Sequence, residues 1–151
     1  MQEVEYGESG SEAELEQLAR NWLAELRSGV TSGESDFGQD VVSMNFSASP
    51  EIQWRFVLIA VALSDSDDEL GHIAAGPVEH LLGRHGEDYI STVENEARTN
   101  PKFARTLTGL WQYMMSDDIW SRLQAVQKRV TEPLLVSEDD DTEQIVGPER
   151  G

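Results

Sequence analysis

The chain has 151 residues, 38% of them hydrophobic, enough for one domain with a sizeable core. It contains no cysteine, which excludes a disulfide framework and thiolate chemistry, and its formal net charge is −18. That charge lies mainly on the flanks, with balances of −8 over residues 1–49, −4 over 50–130 and −6 over 131–151, so the chain lacks the cations that nucleic acids and anionic membranes require.

Residues 1–10 are acidic and punctuated by Gly and Ser, and are expected to be disordered. Met1-Gln2-Glu3-Val4-Glu5 has no basic or apolar leader pattern. The longest apolar run, Phe56 to Leu63, falls far short of the roughly 20 residues that span a bilayer. A cytoplasmic protein is expected, with a single helical domain over residues 11–133.

Ser11-Glu12-Ala13-Glu14 reads as a capping box that opens a helix. Leu15, Leu18, Ala19, Trp22, Leu23 and Leu26 then form one apolar stripe at helical spacing, and Ser28-Gly29 ends it. Residues 30–49 are rich in Gly, Ser and Asp and predict a loop pinned to the core by Phe37, Val41, Val42, Met44 and Phe46. Ser49-Pro50 opens a second helix, apolar nearly all round and so central, which runs to about Leu63. Asp65-Ser66-Asp67-Asp68-Glu69 supplies a turn and an acidic first turn for a third, which carries Leu70, Ile73 and Ala74.

Gly76-Pro77 predicts a break, because proline has no N–H and disfavours helical geometry in the residue before it. A new helix is expected from Pro77 to the turn at Arg84-His85-Gly86, another over residues 87–99, another from Pro101 through Trp111, and a last one capped by Ser116. Pro133 stops it, and residues 134–151 form an acidic tail expected to be disordered. The fold class is therefore all-α: a compact array of about six or seven helices, either stacked as HEAT-like antiparallel pairs or an irregular bundle.

Candidate chemistry is sparse. His72, His80, His85, Glu79 and Glu87 cluster in sequence, but their spacing matches no standard metal site, and neither metal nor other cofactor is expected. The acidic run Asp65-Ser66-Asp67-Asp68-Glu69 lacks the glycine and glutamate positions of a calcium loop. No phosphate loop, nucleophile elbow or nucleotide fingerprint is present. The four tryptophans lie on or beside apolar stripes, where packing is the ordinary role; Trp54, and Trp111 with Tyr113, Met114 and Met115, are the ones that would mark a binding patch if exposed.

The run Ile73-Ala74-Ala75-Gly76-Pro77-Val78-Glu79-His80-Leu81-Leu82 is followed by His85-Gly86, Ile90, Glu94, Ala97, Pro101, Phe103, Leu107 and Leu110-Trp111. Over residues 54–123 it resembles an uncharacterised bacterial all-helical domain family with an AAGPLExLL…HG…PxF…LxxVW pattern. The resemblance implies a helical fold and carries no activity.

The expected function is that of a small acidic, non-enzymatic protein that binds and inhibits or neutralises a basic protein partner, in the manner of an immunity protein or an anti-host inhibitor, with nucleic-acid mimicry as its narrower form. Glu138, Asp139, Asp140, Asp141, Asp65, Asp67, Asp68, Glu69, Trp54 and Trp111 are the candidate binding residues. Gly76, Pro77 and Glu79 form a structural junction, with the Glu79 carboxylate expected to accept helix-end N–H groups. The alternative is a metal-dependent or carboxylate-based enzyme centred on Glu79 and His80.

Overall fold

A computed structural model describes residues 11–29 and 36–134. The stretches 1–10 and 135–151, which include Glu138, Asp139, Asp140 and Asp141, lie outside the described residues. Among those described there are helices and no strands: α1 (Glu12–Arg27), α2 (Asp36–Ser47), α3 (Pro50–Leu63), α4 (Asp67–Ile73), a π turn (Ala74–Val78), α5 (Glu79–Thr99), α6 (Pro101–Leu107) and α7 (Asp117–Arg129). None of these helices is long and apolar enough to cross a membrane.

Hydroxyl and amide caps set the starts. Ser11 and Glu14 form the reciprocal capping box of α1, each closing a 3.2 Å hydrogen bond to the other's backbone N–H. Ser49, Ser66, Asn100 and Ser116 accept from the third helical N–H of α3, α4, α6 and α7. Pro50 and Pro101 occupy first-turn positions where no N–H is needed. α3 is the central rod, in contact with α1, α4, α5, α6 and the π turn, and it buries Phe56, Val57, Ala60 and Val61.

Three sequence expectations are corrected. Residues 36–47 are helix rather than loop. Phe37, Val41, Met44 and Ala48 do follow a helical stripe, but two inward positions carry Gly38 and Asn45 while apolar Val42 and Phe46 face out, so composition hides the period. Gly76-Pro77 does not break the chain: α4 and α5 are one rod that widens into a π turn, with the Glu79 N–H donating to the Ala74 carbonyl five residues back. Proline's missing N–H and ring, which a tight turn would not accept, fit in the wider one. The turn expected at Arg84-His85-Gly86 is present as a kink within α5, where His85 leaves helical geometry at φ −132° and ψ 29° between two helical segments. Gly86 there lets α7 approach, since a Cβ would lie 3.3 Å from Ile119 Cγ1. Finally, α6 ends at Leu107, and Leu110-Trp111 belong to the loop before α7.

The acidic start of α4 is tied inward. Glu69 is buried and accepts Arg27 Nε at 2.8 Å, Arg27 Nη2 at 3.1 Å and the Asp65 N–H at 2.7 Å. Arg27 also reaches the Leu63 carbonyl, at 3.2 Å, which ties the end of α1 to the end of α3. Asp67 pairs with Arg105 of α6 at 2.9 Å. Burial pushes the Glu69 carboxyl up, but the Arg27 hydrogen bond, the Asp65 N–H and the charges of Arg27 and Lys102 together hold it below the ordinary range.

Arg27→Ala leaves the Glu69 carboxylate buried without its cation and is expected to lower the urea unfolding midpoint near neutral pH, by less than the loss of a fully buried pair would because Arg27 is largely in solvent. The folded-state value of Glu69 is depressed, so its contribution is complete near neutrality and is lost as pH falls through that depressed value. The variant is expected to show a shallower loss of stability on acidification than the parent.

Candidate functional site

The π turn places Glu79 and His80 in the first turn of α5, where they face the loop between α6 and α7. Glu79 is only 8% exposed. Its Oε2 accepts the backbone N–H of Trp111 at 2.8 Å, so its partner is this loop and not a helix-end N–H at the Gly76-Pro77 junction. Burial pushes the Glu79 carboxyl up, and the Trp111 N–H opposes that shift. His80 turns elsewhere. Its Nδ1 lies 3.0 Å from the Gly76 carbonyl, a contact that makes Nδ1 the protonated ring nitrogen, because a carbonyl only accepts.

The His80 ring stands between two others. Phe46 of α2 meets it edge-on with centroids 5.0 Å apart, and Tyr113 of the loop lies at 5.4 Å. Arg84, one turn along α5, places its guanidinium 5.8 Å from the Phe46 ring centre and donates to the Phe46 carbonyl at 3.2 Å. Three elements thus converge on one face, which exposes large apolar side chains: Trp111 is 66% and Met114 68% exposed, with Phe46, Val42 and Tyr113 also open to solvent.

The loop under this face is tightly fixed. A Cβ on Gly83 would lie 2.7 Å from the Tyr113 carbonyl oxygen and 3.1 Å from Met114 Cβ, so the loop backbone rests directly on the glycine. Met114 has φ +60°, a left-handed conformation that is costly for a residue with a side chain. Met115 beside it is buried and anchors the loop, and Gln112 Nε2 donates to the Met115 carbonyl at 3.0 Å.

The structure separates the residues singled out in the sequence. Gly76, Pro77 and Glu79 sit together at the π turn. Trp111 lies on the exposed face, as do Tyr113 and Met114. Trp54 does not; it is half-buried between Tyr89 and Phe103, with ring centres at 6.2 and 5.4 Å. Asp65, Asp67 and Glu69 are engaged by Arg27 and Arg105, and Asp68 lies 3.7 Å from His72. Sequence reasoning missed Phe46, Val42, His80's stacking role and Arg84, because α2 was read as a loop. Among the described residues no three His, Cys, Asp or Glu side chains converge as a metal site would require.

The chain matches the family of unknown function DUF6869 over residues 29–131. It belongs to that family. The matched span is wider than the resemblance over 54–123 and takes in α2 with the whole exposed face; α1 lies outside it yet buries Leu15, Leu18, Ala19, Trp22 and Leu23 in the same core. No curated protein and no solved structure matches the chain.

Glu79→Gln keeps an oxygen acceptor for Trp111 without a buried charge, whereas Glu79→Ala leaves that N–H unpaired. The alanine variant is expected to lose about 1–2 kcal/mol at pH 8 and the glutamine variant to hold or exceed parental stability. Because the folded-state carboxyl is raised, its favourable contribution is greatest in acid and is lost as pH rises through the raised value. Parental stability should therefore decline over that interval while Glu79→Gln stays flat, as read by denaturant unfolding at several pH values. Gly83→Ala forces the Tyr113 backbone away and is expected to cost about 1–3 kcal/mol in the same assay.

Proposed function

We propose that this protein is a non-enzymatic binding module that docks a basic protein partner on the face formed by Phe46, Trp111, Tyr113 and Met114. The observation that carries the reading is a loop presenting Trp111 and Met114 largely to solvent, held by the buried Glu79 carboxylate and the bare backbone of Gly83. Exposed aromatic and methionine side chains with an adjacent arginine match the composition of interface hot spots, and rigid anchors bind with little ordering cost. The net charge of −18 supplies the steering, drawing a cationic partner at long range and repelling acidic competitors. Masking of the partner's own surface follows from such docking, which is how neutralisation would arise. Glu79 and His80 are committed to different backbone partners, which gives the enzymatic alternative no support.

The test compares capture of partners from host lysate by the full chain and by Trp111→Ala and Met114→Gly. Both side chains are exposed, so the alanine change is expected to move stability by less than about 0.5 kcal/mol, and the glycine change relieves a left-handed strain of about 1 kcal/mol. A partner with a basic isoelectric point should be retained at low salt by the parent, with association slowing steeply as salt rises, and lost from both variants while their unfolding midpoints hold. Equal retention by parent and variants, or an acidic partner, would overturn the proposal.

A further inference from the structure

Gly38 and Asn45, the two residues that break the inward stripe of α2, stand about two helical turns apart and line one pocket of about 210 Å³. Trp22 of α1 and Pro77 of the π turn close its other sides, and Val41 and Val42 add apolar wall. Gly38 contributes backbone and no side chain. Asn45 contributes an anomaly: it is only 1% exposed, and its Oδ1 has no hydrogen-bond partner among the described residues. A leucine of similar volume would pack at this position without leaving an acceptor unpaired. The Gly76 carbonyl, also at the pocket, is already taken by His80 Nδ1, so Asn45 Oδ1 is the buried acceptor left open. None of the residues lining the pocket is Asp, Glu, Lys or Arg, although 26% of the chain is charged. His72 is the ionisable group in the lining, and its Nε2 lies 3.7 Å from the Asp68 carboxylate, one turn back on α4.

Apolar walls around one oriented polar group are the usual composition of a small-molecule site. The absence of formal charge from the walls selects a neutral ligand, and the open oxygen selects one with a donor. A cavity of about 150 Å³ holds benzene, so this pocket has room for a molecule of about one or two rings. A water on Oδ1 would itself need about two to four polar partners, which Val41, Val42 and Pro77 do not offer. We propose that this pocket binds a small, neutral, largely apolar molecule of about the size of indole, whose single N–H or O–H group donates to Asn45 Oδ1. The inference goes beyond the docking reading and does not rest on it, because none of Phe46, Trp111, Tyr113 and Met114 lines the pocket. It also gives the irregularities of α2 and of the rod one purpose. The inward glycine, the inward asparagine and the π turn meet at a single site, and local departures of this kind, π turns among them, recur where proteins bind or react.

Indole and benzofuran test this directly, since they share size and shape and only indole has a donor. Titrated into the full isotope-labelled chain and read by NMR, indole is expected to shift the amides of Gly38, Val41, Asn45 and Gly76. Benzofuran is expected to bind about tenfold more weakly, because it leaves Oδ1 unpaired. Asn45→Leu removes the open acceptor; its urea midpoint is expected to rise, and its affinities for the two probes to fall within about twofold of each other. Asn45→Ala repeats the comparison should leucine fail to pack. Ala75→Leu, at the exposed rim of the pocket, is expected to weaken both probes while the unfolding midpoint holds. The proposal fails if millimolar indole leaves those amides unmoved, or if the shifts are confined to the aromatic face around Trp111. Equal affinity of the parent for the two probes, or an indole preference that survives loss of the Asn45 amide, would also refute it.

Discussion

Pro77 stands inside a buried helical rod, and much of the candidate site depends on how the chain accommodates it. A proline there removes one hydrogen bond and crowds the carbonyl four residues earlier, which ordinarily ends or sharply kinks a helix. Here the backbone widens for one turn and continues. Because it continues, Leu70, Ile73, Ala74, Val78 and Leu82 on either side of the proline bury in the same core. Because α5 begins directly at Glu79, that carboxylate and the His80 ring meet the α6–α7 loop and α2. The exposed face is thus a consequence of a backbone solution to a proline, passed on through one buried hydrogen bond.

The costs of this arrangement gather around it. Glu79 is a carboxylate kept largely out of water with one backbone donor, and Met114 is held left-handed. Asn45, the neighbour of Phe46, has an amide oxygen without a partner, and so does Gln53, whose amide nitrogen clamps the Ala48 carbonyl at the corner between α2 and α3. Each such feature costs on the order of 1–3 kcal/mol. Elsewhere the fold is conventional, with capped helix starts and apolar stripes. Glu79, Met114 and Asn45 lie on or beside the elements that present Phe46, Trp111 and Met114, whereas Gln53 lies on α3.

Most helices were legible because their start signals and periods agree. Ser11 with Glu14, Ser49 with Pro50, Asn100 with Pro101 and Ser116 all lie where the caps are found. The failures have a common cause, which is reading local residue types against a period that tertiary packing overrides. In α2, inward Gly38 and Asn45 and outward Val42 and Phe46 invert the usual code, so the helix and half of the exposed face were hidden. At Gly76-Pro77 the apolar spacing from Leu70 to Leu82 runs unbroken across the proline, and that continuity was the sign that the rod persists. Glu79 was expected to be a buried or half-buried carboxylate of the junction, and it is buried, but the loop N–H that it accepts was not legible. Glu79 falls off the apolar stripe, and only the covering loop, distant in sequence, takes it out of water.

Charge was the most conspicuous property of the sequence, and it is distributed by role once the fold is known. The acidic residues before and within the first turn of α4 look like a free patch in sequence, yet Asp65, Asp67 and Glu69 are spent joining α4 to α1 and α6. Pairing leaves the net charge of the molecule intact, so long-range steering survives, but these carboxylates present little directional recognition. The docking proposed for this protein then falls to surfaces where side chains are both exposed and fixed. Among the described residues the aromatic face meets that condition, because its exposed anchors stand on a backbone that the buried Glu79 and the bare Gly83 allow to move very little.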